Sequence, residues 1–395
     1  MKKLIVFILI AVLLLSLVAC NSNAGANLPA PTEPSSAPSQ NQQADVIVPP
    51  QEEDPTDPYV KMLTSERYYA SGAENSDFDY LIYTSSRDDS GYIIIKKYLG
   101  TDTAVTIPDT LDGFPVIGMY HSIFDNTGFV SEITFPDSLR TIIFNTRADT
   151  DKCMVGTAWY QQQPDGVYYA GNVAAGCKGA GPFTLREGTV GIGGTAFRGQ
   201  DDLTTIEFPA SLLMISNDAF AGSGLTELTI PVTLQYYFGA FGNCNQLERV
   251  VFEEGITEIT GTVSGSSVRE VVLPQSLVTI GDKAFMHCES LSYIALPSNV
   301  QTIGEAAFYG SGLTDIGLNE GLQYIEKEAF QHCKQLKCVY LPASIKEIGI
   351  RAVGFNLSDE PMDGFVAYFA ADGSVMENLQ GTGVNCQLGT RDGNG

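Results

Sequence analysis

The sequence predicts a β-rich repeat solenoid, a parallel β-ladder with short helical turns that is capped at both ends. Three observations predict it. First, the pair Ala-Phe recurs at Ala196-Phe197, Ala219-Phe220, Ala240-Phe241, Ala284-Phe285, Ala307-Phe308 and Ala329-Phe330, with Ala352-Val353 as a degenerate last copy. The intervals are 23, 21, 44, 23, 22 and 23 residues, the 44 being two periods of 22 with Val263 near the missing phenylalanine. Self-similarity at such a period is the mark of stacked-repeat architectures. Second, a phrase of apolar, two variable, apolar, variable, apolar and often proline lies between the pairs. It reads Leu203-Thr-Thr-Ile-Glu-Phe-Pro209, Leu225-Thr-Glu-Leu-Thr-Ile-Pro231, Val268-Arg-Glu-Val-Val-Leu-Pro274, Leu291-Ser-Tyr-Ile-Ala-Leu-Pro297 and Leu336-Lys-Cys-Val-Tyr-Leu-Pro342, with Leu247 to Phe252 and Leu313 to Leu318 lacking the proline. Third, a unit this short cannot close its own core, so neighbours must stack, with strands about 4.8 Å apart.

Taken in chain order, residues 1–19 form an export signal. Met1-Lys2-Lys3 is a basic start, and Leu4 to Val18 is an apolar run broken only by Ser16. The run is shorter than the roughly 20 residues a spanning helix needs, and Leu17-Val18-Ala19-Cys20 follows with small residues where cleavage must occur. That tetrapeptide resembles a bacterial lipobox. The resemblance implies a thioether lipid on Cys20, cleavage before it and acylation of the new N-terminus with fatty acids such as palmitate. Two or three acyl chains, at about 0.8 kcal/mol per buried methylene, anchor a protein stably where one does so marginally.

Residues 20–58 are rich in Pro, Ser, Gln, Asn and Ala, as in Pro29-Ala-Pro-Thr-Glu-Pro-Ser-Ser-Ala-Pro38. Such a stretch buries too little apolar area to offset its ordering entropy and is expected to serve as a disordered, semi-stiff spacer. Residues 59–90 then lead into the solenoid at 91–355, and 356–395 make a C-terminal cap and tail.

Within each repeat, the last three residues of the strand phrase place apolar side chains at i and i+2 inward and a variable one outward. Proline then stops the ladder. In Ser276-Leu-Val-Thr-Ile-Gly-Asp-Lys-Ala-Phe285, Leu277 and Ile280 point inward, Gly281 turns the chain, and Asp282 to Phe285 suit one helical turn. Together the leucine spacing, the proline and the Ala-Phe pair resemble the BspA-like class of leucine-rich repeats over Gly91 to Gly349. Gly91-Tyr-Ile-Ile-Ile95, Val105-Thr-Ile-Pro108 and Gly113-Phe-Pro-Val-Ile-Gly118 look like the opening segment of that class, Ile123-Phe124 like its first Ala-Phe equivalent, and Val130 to Pro136 like its first full strand. Phe365 to Phe369, Gly373 to Leu379 and Val384 to Leu388 are similar to its closing strand, helix and strand.

Two departures stand out. The period breaks at about 145–182, where an inserted hairpin is expected with Pro164-Asp165-Gly166 as its turn. Trp159 is expected to pack that insertion onto the coil, with a contact role as the alternative. Around Glu254 to Ser267, Gly, Thr and Ser replace the apolar pattern, so a loose coil is expected there.

The net charge of -24 becomes -26 once Lys2 and Lys3 leave with the signal. A chain this acidic repels phosphate backbones and anionic headgroups, which argues against nucleic acid and leaves membrane contact to the N-terminal lipid. Seven cysteines follow Cys20. Cys244, Cys288 and Cys333 lie three residues after the repeat phenylalanine and two coils apart, roughly 10 Å, beyond the reach of a disulfide. They are expected to be buried thiols in a core column. Cys153 and Cys177 flank the insertion, where a disulfide remains open, and Cys338 and Cys386 stay unassigned.

His287-Cys288 and His332-Cys333 pair two metal-ligand types, yet their separation by two coils prevents convergence on one zinc, and His121 stands apart. No phosphate loop, nucleophile elbow or calcium loop appears in its required context. A non-enzyme without cofactor or metal is therefore expected. If the solenoid binds, the outward strand positions are the natural place. The second variable position carries Thr205, Glu227, Arg249, Glu270, Tyr293, Asp315 and Cys338, and the third Glu207, Thr229, Val251, Val272, Ala295, Gly317 and Tyr340. Thr205, Glu227, Arg249, Glu270, Tyr293, Asp315 and Tyr340 are the candidate binding residues. Mixed charges with Tyr293 and Tyr340 toward the C-terminal end suit a protein or glycan partner. Lipid anchor, spacer and repeat face together point to a surface-tethered adhesion or interaction protein, and the resemblance implies attachment to host matrix proteins or other cells. The alternatives are a ligand-capturing lipoprotein of an uptake system, which would want a closed cleft between two lobes, and a structural envelope protein.

Overall fold

The computed structural model describes residues 68–88, 90–143, 153–237, 239–261 and 263–389. The signal segment, Cys20 and the spacer lie outside the described residues. From Ala104 onward the chain winds as stacked coils, each contributing up to two short strands to two parallel ladders.

The first ladder is made by the leucine phrases. β4 (Ala104–Thr106) pairs with β7 (Glu132–Thr134); β13 (Glu227–Ile230), β14 (Arg249–Phe252) and β16 (Glu270–Val272) follow; then β18 (Tyr293–Ala295) pairs with β20 (Asp315–Gly317), and β22 (Cys338–Leu341) with β24 (Val366–Phe369) and β25 (Asn385–Leu388). In β13, Leu228 and Ile230 are buried and Glu227 and Thr229 exposed, the alternation the phrase requires. The second ladder joins β15 (Glu258–Ile259), β17 (Thr279–Ile280), β19 (Thr302–Ile303), β21 (Tyr324–Ile325) and β23 (Glu347–Ile348) in parallel register. The glycine after this strand has a steric reason: a Cβ on Gly304 would lie 2.7 Å from the Gly281 carbonyl carbon of the preceding coil.

The Ala-Phe phrase folds as successive turns instead of a helix. The residue two before each phenylalanine is left-handed, as at Asp218 (φ 57), Lys283 (φ 57), Ala306 (φ 55) and Glu328 (φ 60), which breaks helical geometry. The released amides bond to the next coil, Phe285 N–H to Ala307 O at 2.7 Å and Phe308 N–H to Ala329 O at 2.8 Å, and so form a third inter-coil ladder. The rings stack at nearly the strand spacing. Phe197, Phe220 and Phe241 lie 5.0 and 5.1 Å apart, and Phe285, Phe308 and Phe330 5.4 and 5.2 Å apart. Val263, fully buried, separates the two stacks. The coil around it is not loose at its described residues: Ile256 and Ile259 fill the inward positions and β15 keeps its register with β17.

The ends differ from the body. At the start, β1 (Tyr68–Glu74), β2 (Phe78–Ser85) and β3 (Gly91–Tyr98) form an antiparallel meander whose last strand turns parallel against β6 (Phe114–Tyr120). Leucine phrasing gives no hint of this meander. The sheet continues to β8 (Thr141–Ile143), while β5 (Thr110–Leu111) pairs antiparallel with β6. At the other end α2 (Ser374–Gln380) buries Met376 and Leu379 against the last coil, covering apolar surface that a further coil would otherwise cover.

The insertion corrects the sequence reading. Trp159 and Tyr160 lie in a short helix, α1 (Ala158–Gln162), capped by the Thr157 side chain, which accepts from Tyr160 N–H. Pro164 and Asp165 connect α1 to β9 (Gly166–Ala170). The hairpin turn is Gly171-Asn172, between β9 and β10 (Val173–Lys178), with Gly171 left-handed at φ 57. Proline after a helix is as natural as proline in a turn, since it ends the helical ladder. β10 then runs parallel to β11 (Gly191–Ile192) and β12 (Met214–Ile215), which rejoins the insertion to the solenoid.

Candidate functional site

The outward side of the first ladder is the one face on which the variable strand positions are gathered, because parallel pairing in register stacks equivalent residues of successive coils. Glu227, Arg249 and Glu270 are direct register partners. Arg249 bridges both carboxylates: its Nε donates to Glu270 Oε1 at 3.0 Å and a terminal guanidinium nitrogen to Glu227. These hydrogen bonds, Glu270 first and Glu227 second, raise the guanidinium pKa above its ordinary value. Exposed pairs of this kind add little to stability, and their consequence here is that three of the seven candidate residues are committed to one another.

Tyr293 and Asp315 are also register partners, in β18 and β20. Tyr293 is 49% exposed, and Asp315, half-buried, accepts from Ile316 N–H at 2.8 Å. Tyr340 stacks on Tyr368, with ring centroids 4.9 Å apart and planes at 12°. Tyr368 was not among the residues read from the sequence, because it stands in the closing strand, but aligning Phe365-Val-Ala-Tyr-Phe369 on Leu336-Lys-Cys-Val-Tyr-Leu341 places it in the row of Tyr340, as the register shows. Thr205 is exposed at the N-terminal end of the row, in a segment that forms no regular strand. The seven residues therefore make an open strip with a charged ladder in the middle and tyrosines toward the C-terminal end.

Trp159 lies off this strip. Its ring meets Phe135 of the first coil at 5.9 Å and Tyr168 of β9 at 6.2 Å, both edge-on, and its backbone N–H donates to Val130 O at 2.9 Å. It packs the insertion onto the coil. Within the insertion, Lys178 at the end of β10 donates to the carbonyls of Tyr160 and Gln163 at 3.3 and 2.7 Å and so ties the C-terminal end of α1 to the hairpin.

None of the seven described cysteines is joined in a disulfide, Cys153 and Cys177 included. Cys244, Cys288 and Cys333 form the expected column, and serine takes the same place in alternate coils. Cys244 Sγ donates to Phe220 O at 3.1 Å, Ser266 Oγ to Phe241 O at 3.1 Å, Cys288 Sγ to Val263 O at 3.3 Å and Cys333 Sγ to Phe308 O at 3.1 Å. Burial pushes the Cys288 and Cys333 thiols up to about 12 and about 11, so both stay protonated at neutral pH, and a protonated thiol is a poor nucleophile. His287 and His332 flank Tyr309, at 5.3 and 6.2 Å between ring centroids. Burial, then the charges of Lys334 and His287, lowers the His332 pKa. Among the described residues no group of three or more His, Cys, Asp or Glu is placed to hold a metal ion. A cleft of about 410 Å³ opens on another part of the molecule, between β23 and α2, with Ile348, Ile350, Phe355, Val375 and Leu379 in its wall.

No curated protein matches the chain. Among solved structures, a leucine-rich cell surface protein from Faecalibacterium prausnitzii is 19% identical, with 83% of this chain and 96% of that one covered and a TM-score of 0.38. A leucine-rich repeat protein from Bacteroides ovatus is 20% identical over 75% and 99% of the two chains, at a TM-score of 0.36. The pneumococcal vaccine antigen PcpA is 18% identical over 77% and 88%, also at 0.36. The family model for the BspA type leucine rich repeat region matches residues 175–263 and 261–358 in six copies. With the period, the two ladders and the phenylalanine stacks, that match identifies residues 175–358 of this chain as a BspA-type leucine-rich-repeat region.

Proposed function

We propose that this protein is a lipid-anchored cell-surface binding protein, an adhesion or interaction module that presents the outward strand face of its solenoid to an extracellular protein or glycan. The observation that carries the reading is the outward strip from Glu227 to Tyr368, whose strands lie in register within each of three successive parallel sheets and expose variable side chains on a rigid frame. The lipobox-like Leu17-Val18-Ala19-Cys20 and the proline-rich spacer support an address outside the cell, with the folded body held off the membrane.

The buried thiols and the committed Arg249 triad leave no activated nucleophile among these residues, which favours binding over catalysis. The test of the address is fatty-acid labelling and detergent partition of the full chain beside its Cys20→Ala variant. Label and detergent partition are expected for the native chain and lost in the variant. An unlabelled native chain would remove the lipid anchor from the account.

A further inference from the structure

The C-terminal third of the outward face differs from the rest in carrying aromatic rings with glycine beside them. Tyr293 is 49% exposed in β18. Gly317, in the next coil, adjoins it: a Cβ there would sit 3.2 Å from the Tyr293 hydroxyl oxygen. Tyr340 and Tyr368 stack at 4.9 Å in the two coils after that. Beyond them stands a second glycine, Gly389, whose Cβ would lie 3.1 Å from the Tyr368 ring. Neither Gly317 nor Gly389 has a left-handed φ. The backbone does not require glycine at either place, so the effect of both is to keep side chains off the flanking rings.

The strip from Tyr293 to Tyr368 crosses three strand spacings, about 14 Å. We infer that this tyrosine strip is a subsite for a neutral oligosaccharide, whose sugar rings lie across the tyrosines. The inference rests on the strand face being the binding surface. Three properties favour that ligand. A phenol offers an apolar ring together with a hydroxyl that both donates and accepts, which suits a ligand whose rings have apolar faces and hydroxyl rims. Asp315, on the same outward side of β20, and a net charge of -24 disfavour sulfated or uronic-acid chains. Anchor residues of protein partners seat in pockets, whereas Tyr293 stands on an exposed strand face.

The test is titration of the full chain, in mild detergent, with cellohexaose, maltohexaose and a β-1,3-glucan hexasaccharide, with a heparin hexasaccharide as the anionic probe and gelatin as the polypeptide probe. At least one neutral sugar is expected to bind. Tyr293→Leu and Tyr368→Leu should each weaken it tenfold or more, Tyr368→Phe should retain most of it, and Glu320→Gln, exposed in the turn after β20, should leave it unchanged. Melting curves identify any variant that has lost its fold, and Gly389→Val, which covers the Tyr368 ring without removing it, then serves as the second probe. A blank across the three neutral sugars, or binding indifferent to the tyrosine and glycine variants, overturns the subsite. Binding of gelatin or heparin alone also overturns it while leaving the surface-binding reading in place.

Discussion

Cysteine and serine alternate along one column of the core because both supply a short side chain with a hydrogen to give. Cys288 Sγ donates to Val263 O at 3.3 Å, as Ser266 Oγ donates to Phe241 O one coil earlier. Cys288→Ser is therefore expected to cost less than about 1 kcal/mol, whereas Cys288→Val strands the Val263 carbonyl and should cost about 1–3 kcal/mol. Denaturant midpoints of the two variants decide it, and equal losses would show that the bond contributes nothing. His332 offers a second test. Its Nδ1 is buried without a partner, and burial lowers its pKa from 6.5. The unfolded chain then binds the proton more readily, so stability is full above about pH 6.5 and declines as pH falls toward the lowered folded value. His332→Asn, which accepts the left-handed φ of 62, should flatten that decline in melting temperature between pH 7 and pH 5.

The strands were legible in the sequence because inward and outward positions alternate under a fixed period, and the phenylalanine column because its ring recurs in nearly every coil. Phe308 is fully buried between Phe285 and Phe330, and Phe308→Ala should cost about 3–5 kcal/mol, read from chemical denaturation. The left-handed turns before each phenylalanine were not legible, since Asp218, Lys283, Ala306 and Glu328 occupy them in place of glycine. What selects that backbone is the amide ladder to the next coil, a property of the stack. The hairpin turn was misplaced for a local reason. Pro164-Asp165-Gly166 carries a strong turn signal, but Thr157 caps a helix just before it, and the weaker pair Gly171-Asn172 turns the chain. At the closing end, Leu379→Asp should detach α2 and uncover the last coil, which limited proteolysis would show as new cleavage after Pro342. An unchanged digestion pattern would mean that α2 does not hold that end.

At the scale of the whole molecule, a stack of coils converts sequence variation at one strand position into a pattern across a surface. The candidate strip was legible as positions, since the period numbers them, but its internal order was not. Only the register shows that Arg249 engages both Glu227 and Glu270, that Tyr293 adjoins Asp315 and that Tyr368 extends the row of Tyr340. Strong negative charge favours solubility of the solenoid and repels anionic partners from its outward face. The measurement that tests this most directly is an array of extracellular-matrix proteins and glycans probed with the full chain and with its Tyr293→Ala/Tyr340→Ala double variant. The account expects at least one specific signal in the native protein and its loss in the variant. A signal that survives the double substitution, or an array on which the native protein binds nothing, would contradict the strand face as the binding surface.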